Sequence, residues 1–246
     1  MISEDAIAAS PQPLITPGAF RFYERLLRPM KSYHHHRSVG VERVPAQGGA
    51  MLVMHHTLAT YDAFLLGLDI FDATGRLPVA MGDDLIFKTP WLRDWARDGG
   101  VRPAHPGAGL RYLLEGHLLA VAPGGMWECL RPSSEARQHR WHQRRGFVRL
   151  ALRAQVPLVL AACPAGDDLY RIRESRITNR VYRHLRAPLP LARGLGPTLI
   201  PRPVQLTHYV AEPLFPPPHE PEREEEQVAD LHARAMGVMD RLLAQE

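Results

Sequence analysis

A short segment joins an apolar run to a polar loop, and it reads Ala50-Met51-Leu52-Val53-Met54-His55-His56-Thr57-Leu58-Ala59-Thr60-Tyr61-Asp62. The apolar run Ala50–Met54 follows a Pro- and Gly-containing turn, which predicts a buried strand. Asp62 precedes the apolar segment Ala63–Leu68, where an aspartate favours a helix start because its carboxylate accepts from free backbone N–H groups. The segment therefore predicts a strand, a loop that carries two histidines, and a helix.

The same alternation continues along the chain. Further strands are predicted at Val39–Val44, Leu77–Met81, His117–Ala122, Val156–Ala162 and Val204–Val210, and further helices at Leu110–Leu114, Arg145–Gln155 and Glu220–Gln245. Alternating strands and helices predict an α/β fold, a layered sheet with flanking helices. We expect an N-terminal extension over residues 1–38 and one domain over residues 39–246.

The N-terminal extension contains a predicted amphipathic helix from Gly18 to about Arg28. Its apolar positions are Phe20, Tyr23, Leu26 and Leu27, and its other face is rich in arginine. Pro29 is expected to end or kink it. An arginine-rich helix with aromatic side chains suits a membrane interface, and it also suits packing against its own domain. The sequence leaves both interpretations open.

His56 and Asp62 form the first candidate catalytic group. The end of a strand in an α/β sheet is where ligands bind, and the short loop allows the carboxylate to meet one imidazole nitrogen. The other nitrogen is then free to take a proton from an attacking hydroxyl. Strand alternation points His55 to the opposite face, so we expect only one of the two histidines to act.

A second candidate group follows the predicted strand His117–Ala122. It consists of Pro123, Gly124, Gly125, Trp127 and Glu128. Two glycines let the backbone approach a ligand closely and present N–H groups to a developing oxyanion, although an ordinary tight turn has the same sequence.

Together these segments resemble the glycerolipid acyltransferase superfamily, which contains the lysophosphatidate acyltransferases, and especially its monoacylglycerol and diacylglycerol acyltransferase-like branch. The resemblance rests on four blocks in the family's order: His56-x5-Asp62; Leu85–Pro90; Gly116–Gly125 with Glu128, continued by Arg144–Phe147; and Pro201–Val204 with Ala211–Leu214. It extends from about Val39 to Leu214. It implies a glycerolipid-acyltransferase-like fold for residues 39–246.

The resemblance implies direct acyl transfer. His56, oriented by Asp62, would deprotonate an acceptor hydroxyl that attacks the thioester of acyl-CoA or acyl-carrier protein, while Pro123, Gly124, Gly125, Trp127 and Glu128 would bind substrate. No cofactor and no metal are implied. Phosphate-using members carry Glu-Gly-Thr-Arg where this chain has Gly124-Gly125-Met126-Trp127. Loss of that arginine favours a neutral glyceride or another lipid alcohol as acceptor. Arg102 and Arg144 are candidates to replace it, which keeps a lysophospholipid or lysophosphatidate acceptor open.

Charge and composition limit the classes of partner that the sequence predicts. The net charge of +4 suits phosphate-bearing partners, but the chain has no aromatic-interleaved basic run, so no nucleic acid is expected. The acidic start and the two cysteines predict a cytoplasmic protein. If the helix starting near Gly18 binds a membrane interface, we expect the protein to be peripheral at the inner face of the membrane.

Two other functions are alternatives to acyl transfer. A metal-dependent hydrolase would use His34–His36, His55, His56 and Asp62, but the chain has no His-Glu-x-x-His pair, and we expect His34–His36 to be solvated. A non-catalytic lipid-binding protein on the same fold is the second.

Overall fold

The computed structural model describes residues 14–58, 60–88, 90–173 and 191–245. Residues 1–13 of the expected extension lie outside this part, as do Ala59 and Thr89 of the sequence blocks discussed above. The helices are α1 (Pro17–Tyr33), α2 (Tyr61–Thr74), α3 (Asp84–Lys88), α4 (Pro90–Asp98), α5 (Pro106–Leu114), α6 (Gly125–Cys129), α7 (Gly146–Ala154) and α8 (Glu224–Leu243). None of the described helices is both long and apolar enough to cross a bilayer.

The strands are β1 (Arg37–Val39), β2 (Ala50–Met54), β3 (Val79–Gly82), β4 (Val101–Pro103), β5 (Leu118–Val121), β6 (Leu158–Ala162), β7 (Arg171–Arg173), β8 (Leu191–Arg193) and β9 (Thr207–Val210). Seven of them form one sheet in the order β1-β9-β6-β2-β5-β3-β4, and β7 and β8 form a separate antiparallel pair. In the large sheet only the β6–β9 pair is antiparallel. The predicted α/β layered fold is confirmed.

Strand β2 lies at the centre of the sheet, and its side chains alternate between two cores. Met51 and Val53 pack with residues of α7 and α8. Leu52 packs on the other face with Leu66 and Ile70 of α2. All five residues of β2 are apolar because both faces of the strand are covered.

Two details of the N-terminal region differ from the prediction. Helix α1 starts at Pro17 after the Thr16 cap and continues past Pro29 to Tyr33. The loss of one backbone donor at Pro29 is tolerated because the last turn is held by an ion pair between Lys31 and Asp69 of α2. The predicted strand Val39–Val44 is also wrong beyond Val39, because Gly40 has a φ of 83° and a 3-10 turn follows.

Helix α1 has two apolar surfaces. Phe20 contacts Phe71, and Tyr23 stacks on Phe64, so one surface packs against α2. Leu26 was expected on this face but is 54% exposed, and Phe22 is 59% exposed. Packing against the domain is therefore confirmed for one surface only, and Phe22 and Leu26 remain open to solvent.

Candidate active site

The loops that carry the candidate residues meet at one edge of the sheet. Strands β2, β5 and β6 are parallel, so their carboxyl ends lead together into His55, Ala122 and Cys163. Strand β9 runs antiparallel to β6, which brings its beginning, including His208, to the same edge. The resulting site lies where ligands bind in α/β sheets.

The imidazole of His56 is oriented by its own loop. Its Nδ1 lies 3.1 Å from the carbonyl oxygen of Thr57 and 3.2 Å from the hydroxyl of Thr60. Because a carbonyl only accepts, Nδ1 must carry the proton, and Nε2 is then the basic nitrogen. Burial lowers the pKa of His56, so the ring is neutral and able to take a proton near pH 7.

Asp62 lies in the first turn of α2 and is buried. Its Oδ1 accepts a 2.5 Å hydrogen bond from the hydroxyl of Thr57. Burial raises the pKa of Asp62 to about 6, against the effect of this hydrogen bond. Within the described residues there is no hydrogen bond or ion pair between His56 and Asp62, so the expected direct contact is absent. Thr57 links the two instead, through its carbonyl and its hydroxyl.

Gly166, in the turn after β6, packs against this link. A Cβ at Gly166 would lie 2.8 Å from Cγ2 of Thr57 and 3.1 Å from Oδ2 of Asp62. Those distances are too short for a relaxed side chain. The close approach of the Gly166 backbone therefore holds Thr57 and Asp62 in place.

The side chain of His55 lies in a buried charge cluster. Its Nε2 lies 2.6 Å from a guanidinium nitrogen of Arg131, and Arg131 also forms a 2.5 Å ion pair with Asp167. Burial and the neighbouring Arg131 lower the pKa of His55 well below its usual value. Its Nε2 lone pair is occupied by Arg131, so His55 is not available as a base.

Glu128 borders the same cluster, with Oε1 3.8 Å from both His55 and Arg131. Its carboxylate is fully buried, and burial raises the pKa of Glu128 to about 7. A Cβ on Gly124 would overlap this carboxylate, which explains why that position is glycine.

The rest of the glycine turn is fixed by its neighbours. The N–H of Gly125 donates to the Ala122 carbonyl at 2.9 Å. Arg144 donates to the carbonyls of Pro123 and Gly124. The guanidinium of Arg140 lies over the Trp127 ring, 5.3 Å from its centroid. The assignment of Pro123, Gly124, Gly125, Trp127 and Glu128 to substrate binding stays a prediction.

An apolar cavity of about 120 Å³ lies between α1, α2 and the sheet. Leu52 and Met54 form its floor, and Tyr23, Phe64 and Gly67 form part of its walls. Thr60 also lines it, and the Thr60 hydroxyl is the group that contacts Nδ1 of His56. Thr60 therefore separates the cavity from the candidate base.

The histidines near the start of the domain are not solvated as expected. His34 is buried, with Nδ1 2.8 Å from the Val204 carbonyl, and its Nε2 contacts the hydroxyl of Tyr61. His36 contacts His208. Only His35, between them, is exposed. These three histidines lie in the turn between α1 and β1, where His35 has a φ of 43°.

Comparison with known proteins identifies the family. A family model described as Acyltransferase matches residues 35–163, more than half of the chain. The chain belongs to this acyltransferase family.

Two curated proteins are similar to this chain in sequence. The chain is 28% identical over 204 residues to a Homo sapiens protein named "DGAT1/2-independent enzyme synthesizing storage lipids", covering 80% of this chain and 58% of that protein. It is 26% identical over 206 residues to an uncharacterized protein of Mycobacterium bovis, covering 78% of this chain and 57% of that one. The chain thus spans less than three fifths of the curated relatives it matches.

The fold is similar to a solved acyltransferase. The crystal structure of the 1-acyl-sn-glycerophosphate acyltransferase PlsC from Thermotoga maritima aligns with a TM-score of 0.54 and 13% sequence identity, covering 96% of this chain and 87% of that one. At this identity the likeness shows the fold alone.

The sequence did not single out four residues of this candidate site. Arg131 follows Glu128 by three positions, one helical turn, which is a weak signal that it shares the Glu128 environment. Gly166, Asp167 and His208 follow or begin distant strands, and only the sheet topology brings them to this edge.

Proposed function

We propose that this acyltransferase moves a fatty acyl group from acyl-CoA or acyl-carrier protein to the hydroxyl of a neutral glyceride or another lipid alcohol, with His56 as general base. The observation that carries the proposal is the apolar cavity beside the base. A cavity lined by Leu52, Met54 and Phe64 suits an acyl chain, and Thr60, which lines the cavity, also contacts His56.

The acyl group passes directly from the thioester to the acceptor oxygen. Nε2 of His56 takes the proton of the acceptor hydroxyl as its oxygen bonds to the carbonyl carbon. The C–S bond then breaks, and the imidazolium returns the proton to the leaving thiolate. The Thr57 carbonyl accepts from Nδ1–H throughout, and Asp62 acts on that arrangement through the Thr57 hydroxyl.

The arginines near the site favour a neutral acceptor. Arg144 is occupied by the carbonyls of Pro123 and Gly124. Arg102 donates to the carbonyls of Arg97, Val101 and Leu14. Both guanidinium groups that could replace the missing phosphate partner at Trp127 are therefore held by backbone oxygens. A phosphate at Arg144 would be limited to the Nε and Nη2 donors, because Nη1 makes both backbone hydrogen bonds.

A membrane surface is the proposed source of the lipid, which makes the protein peripheral at a membrane face. Phe22 and Leu26 of α1 and Trp95 of α4 (49% exposed) lie on the outer side of the cavity wall. Tyr23, which lines the cavity, contacts both Phe22 and Trp95. Exposed Arg21 and Arg25 on the same helix suit anionic head groups.

Labelled acyl-CoA offered with matched acceptors tests this function. Purified protein is incubated with monoacylglycerol, diacylglycerol, a long-chain alcohol and lysophosphatidate, and kcat/KM is measured for each. We expect a neutral hydroxyl to give the highest value. A preference for lysophosphatidate would contradict the acceptor assignment, and no transfer to any of them would favour the non-catalytic lipid-binding interpretation.

A further inference from the structure

The antiparallel pair of β7 and β8 carries an exposed cationic face. Arg171 lies directly opposite Arg193 in this pair, and Arg173 lies opposite Leu191. All four residues are exposed, whereas Ile172 between the first and third is partly covered. Because successive side chains of a strand point to opposite faces, the three arginines share the outer face of the pair.

The three arginines of this face form no ion pair in the part of the chain that the structure describes. The two aspartates that precede β7 are already occupied, because Asp167 pairs with Arg131 and Asp168 pairs with Arg137. Like charges directly opposite each other destabilise a strand pair. The outer face therefore gains stability from any anionic partner that neutralises it.

The turn that follows β8 presents apolar side chains next to this face. Leu195, Leu199 and Ile200 are 51%, 71% and 55% exposed. The N–H of Gly194 donates to the Thr198 carbonyl at 2.7 Å, and the N–H of Leu195 donates to the next-but-four carbonyl, that of Ile200, at the same distance. A Cβ on Gly194 would overlap the Ile200 carbonyl oxygen, so the closed turn requires glycine there. An ordered turn thus holds three apolar side chains in solvent.

The turn adjoins the exposed side of α1. That side carries, at helical spacing, Phe22, Leu26, Pro29 and Tyr33. The first three are exposed, and the hydroxyl of Tyr33 donates to the Pro201 carbonyl at 2.9 Å. Pro201 directly follows the turn. The exposed apolar side chains of α1 and those of the turn are therefore joined at the contact between Tyr33 and Pro201.

The cationic face also lies close to the candidate site. Ile172, on the inner face of β7, lines a small pocket together with Leu58, Gly166 and Asp167. Gly166 and Asp167 belong to the turn after β6, which packs against the loop that carries His56. A partner bound to the outer face of β7 and β8 would therefore lie near the candidate base.

An anionic bilayer fits this surface better than a second copy of the chain. A twofold-symmetric contact would bring the arginines of both copies together. At a bilayer surface, anionic head groups lie beside a hydrocarbon interior, which suits guanidinium groups beside an apolar turn. The net charge of +4 favours the same partner.

We propose that β7, β8 and the turn of residues 194–200 form a second membrane contact. Its three arginines bind anionic head groups, and its three apolar side chains enter the bilayer interface. Together with α1, this contact fixes the orientation of the protein, because two contacts on one surface restrict rotation more than one does. The site edge is then turned toward the lipid that supplies the acceptor, a consequence that rests on the proposed function.

Vesicle co-sedimentation of Leu199→Ser tests the apolar part. The variant should bind anionic vesicles about fivefold more weakly, because the burial of one leucine in the interface is lost. Leu114→Ser is the matched control, since Leu114 is 57% exposed and precedes β5, at the opposite edge of the sheet. The control should bind as the wild type does. Equal binding by Leu199→Ser and the wild type would overturn the insertion of the turn.

Arg171→Gln tests the cationic part. It should weaken binding to anionic vesicles by about fivefold at low salt and leave binding to zwitterionic vesicles unchanged. Arg111→Gln, which changes an exposed arginine of α5, is the control and should bind normally. Since Arg171→Gln removes a like-charge contact with Arg193, its melting temperature should not fall. Normal vesicle binding by Arg171→Gln, or a lower melting temperature that reveals a partner within the protein, would overturn the role of the arginines.

The melting temperature and the oligomeric state of Leu199→Ser separate the bilayer from other occupants of the turn. Both should equal those of the wild type. A clear fall in melting temperature would mean that another part of the chain, such as residues 174–190, covers the turn, and a wild-type dimer that dissociates in the variant would mean a second copy. Either result would overturn the proposal. Wild-type protein that binds vesicles through Leu199 but transfers no acyl group would contradict only the proposed function.

Discussion

The hydroxyl of Thr57 donates a 2.5 Å hydrogen bond to Oδ1 of Asp62. The carbonyl of Thr57 accepts from Nδ1 of His56, so one residue connects the two side chains that the sequence pairs. Coupling through a side chain and its own backbone is rigid, because both groups belong to the same residue. We therefore expect the orientation of His56 to depend on Asp62, although no hydrogen bond joins the two directly.

Thr57→Val tests this connection. Valine has nearly the shape of threonine but leaves Oδ1 of Asp62 without its donor in a buried place, which costs about 1–3 kcal/mol in the free energy of unfolding. We expect a lower kcat as well, whereas Thr57→Ser should retain most activity. Steady-state kinetics and denaturant unfolding measure both effects. Normal turnover in Thr57→Val would show that the hydroxyl is dispensable.

Gly166→Ala tests the close packing behind Thr57. The added Cβ would meet Cγ2 of Thr57 at 2.8 Å and Oδ2 of Asp62 at 3.1 Å, so it should displace both and reduce kcat. Gly146→Ala is the control, because nothing lies within 4 Å of a Cβ there. That control should be neutral or stabilising by up to about 1 kcal/mol in helix α7. Equal activity of the two variants would argue against the packing role.

Glu128→Gln tests the buried carboxyl through pH. The pKa of Glu128 rises from 4.5 to about 7 on burial, so the folded protein binds this proton more tightly than the unfolded chain. Its contribution to stability is complete below about pH 4.5 and is lost as the pH rises through 7. Glutamine has no proton to lose, so the variant should gain on the wild type by about 2–3 kcal/mol over that range. If the free energies of unfolding of the variant and the wild type changed equally between pH 4.5 and 8, the raised pKa of Glu128 would be contradicted.

Phe22→Ser combined with Leu26→Ser tests the membrane surface. Removing two exposed apolar side chains from α1 should weaken binding to anionic vesicles while leaving the melting temperature nearly unchanged. Leu114→Ser is a control of similar exposure, 57%, on α5. Vesicle co-sedimentation measures the difference. Unchanged binding of the double variant would place the membrane contact elsewhere.

The sequence predicts the architecture well where periodicity is strong. The buried strand Ala50–Met54 and the helices α7 and α8 are found close to the predicted bounds, because apolar patterning largely determines such elements. The short strand β4 and the β7–β8 pair were missed, since three residues carry too little pattern. Pro29 was overestimated as a helix terminator because the Lys31–Asp69 contact supports the last turn.

The site was predictable only in part. His56 and Asp62 are close in sequence, so their presence at one junction between a strand and a helix could be predicted directly, but the bridging role of Thr57 depends on loop geometry. Arg131, Asp167 and His208 reach the site through separate strands and turns. Contacts of this kind depend on sheet order, which a single sequence does not reveal.

The kcat of His56→Gln, measured with labelled acyl-CoA and the preferred acceptor, bears on the whole proposed mechanism. Loss of a general base should lower kcat by about 10²–10⁴-fold with a similar KM. His117→Gln, which changes a buried histidine at the opposite end of β5, should stay at the wild-type rate. Circular dichroism should show both variants folded. Turnover of folded His56→Gln at close to the wild-type rate would mean that another group activates the hydroxyl.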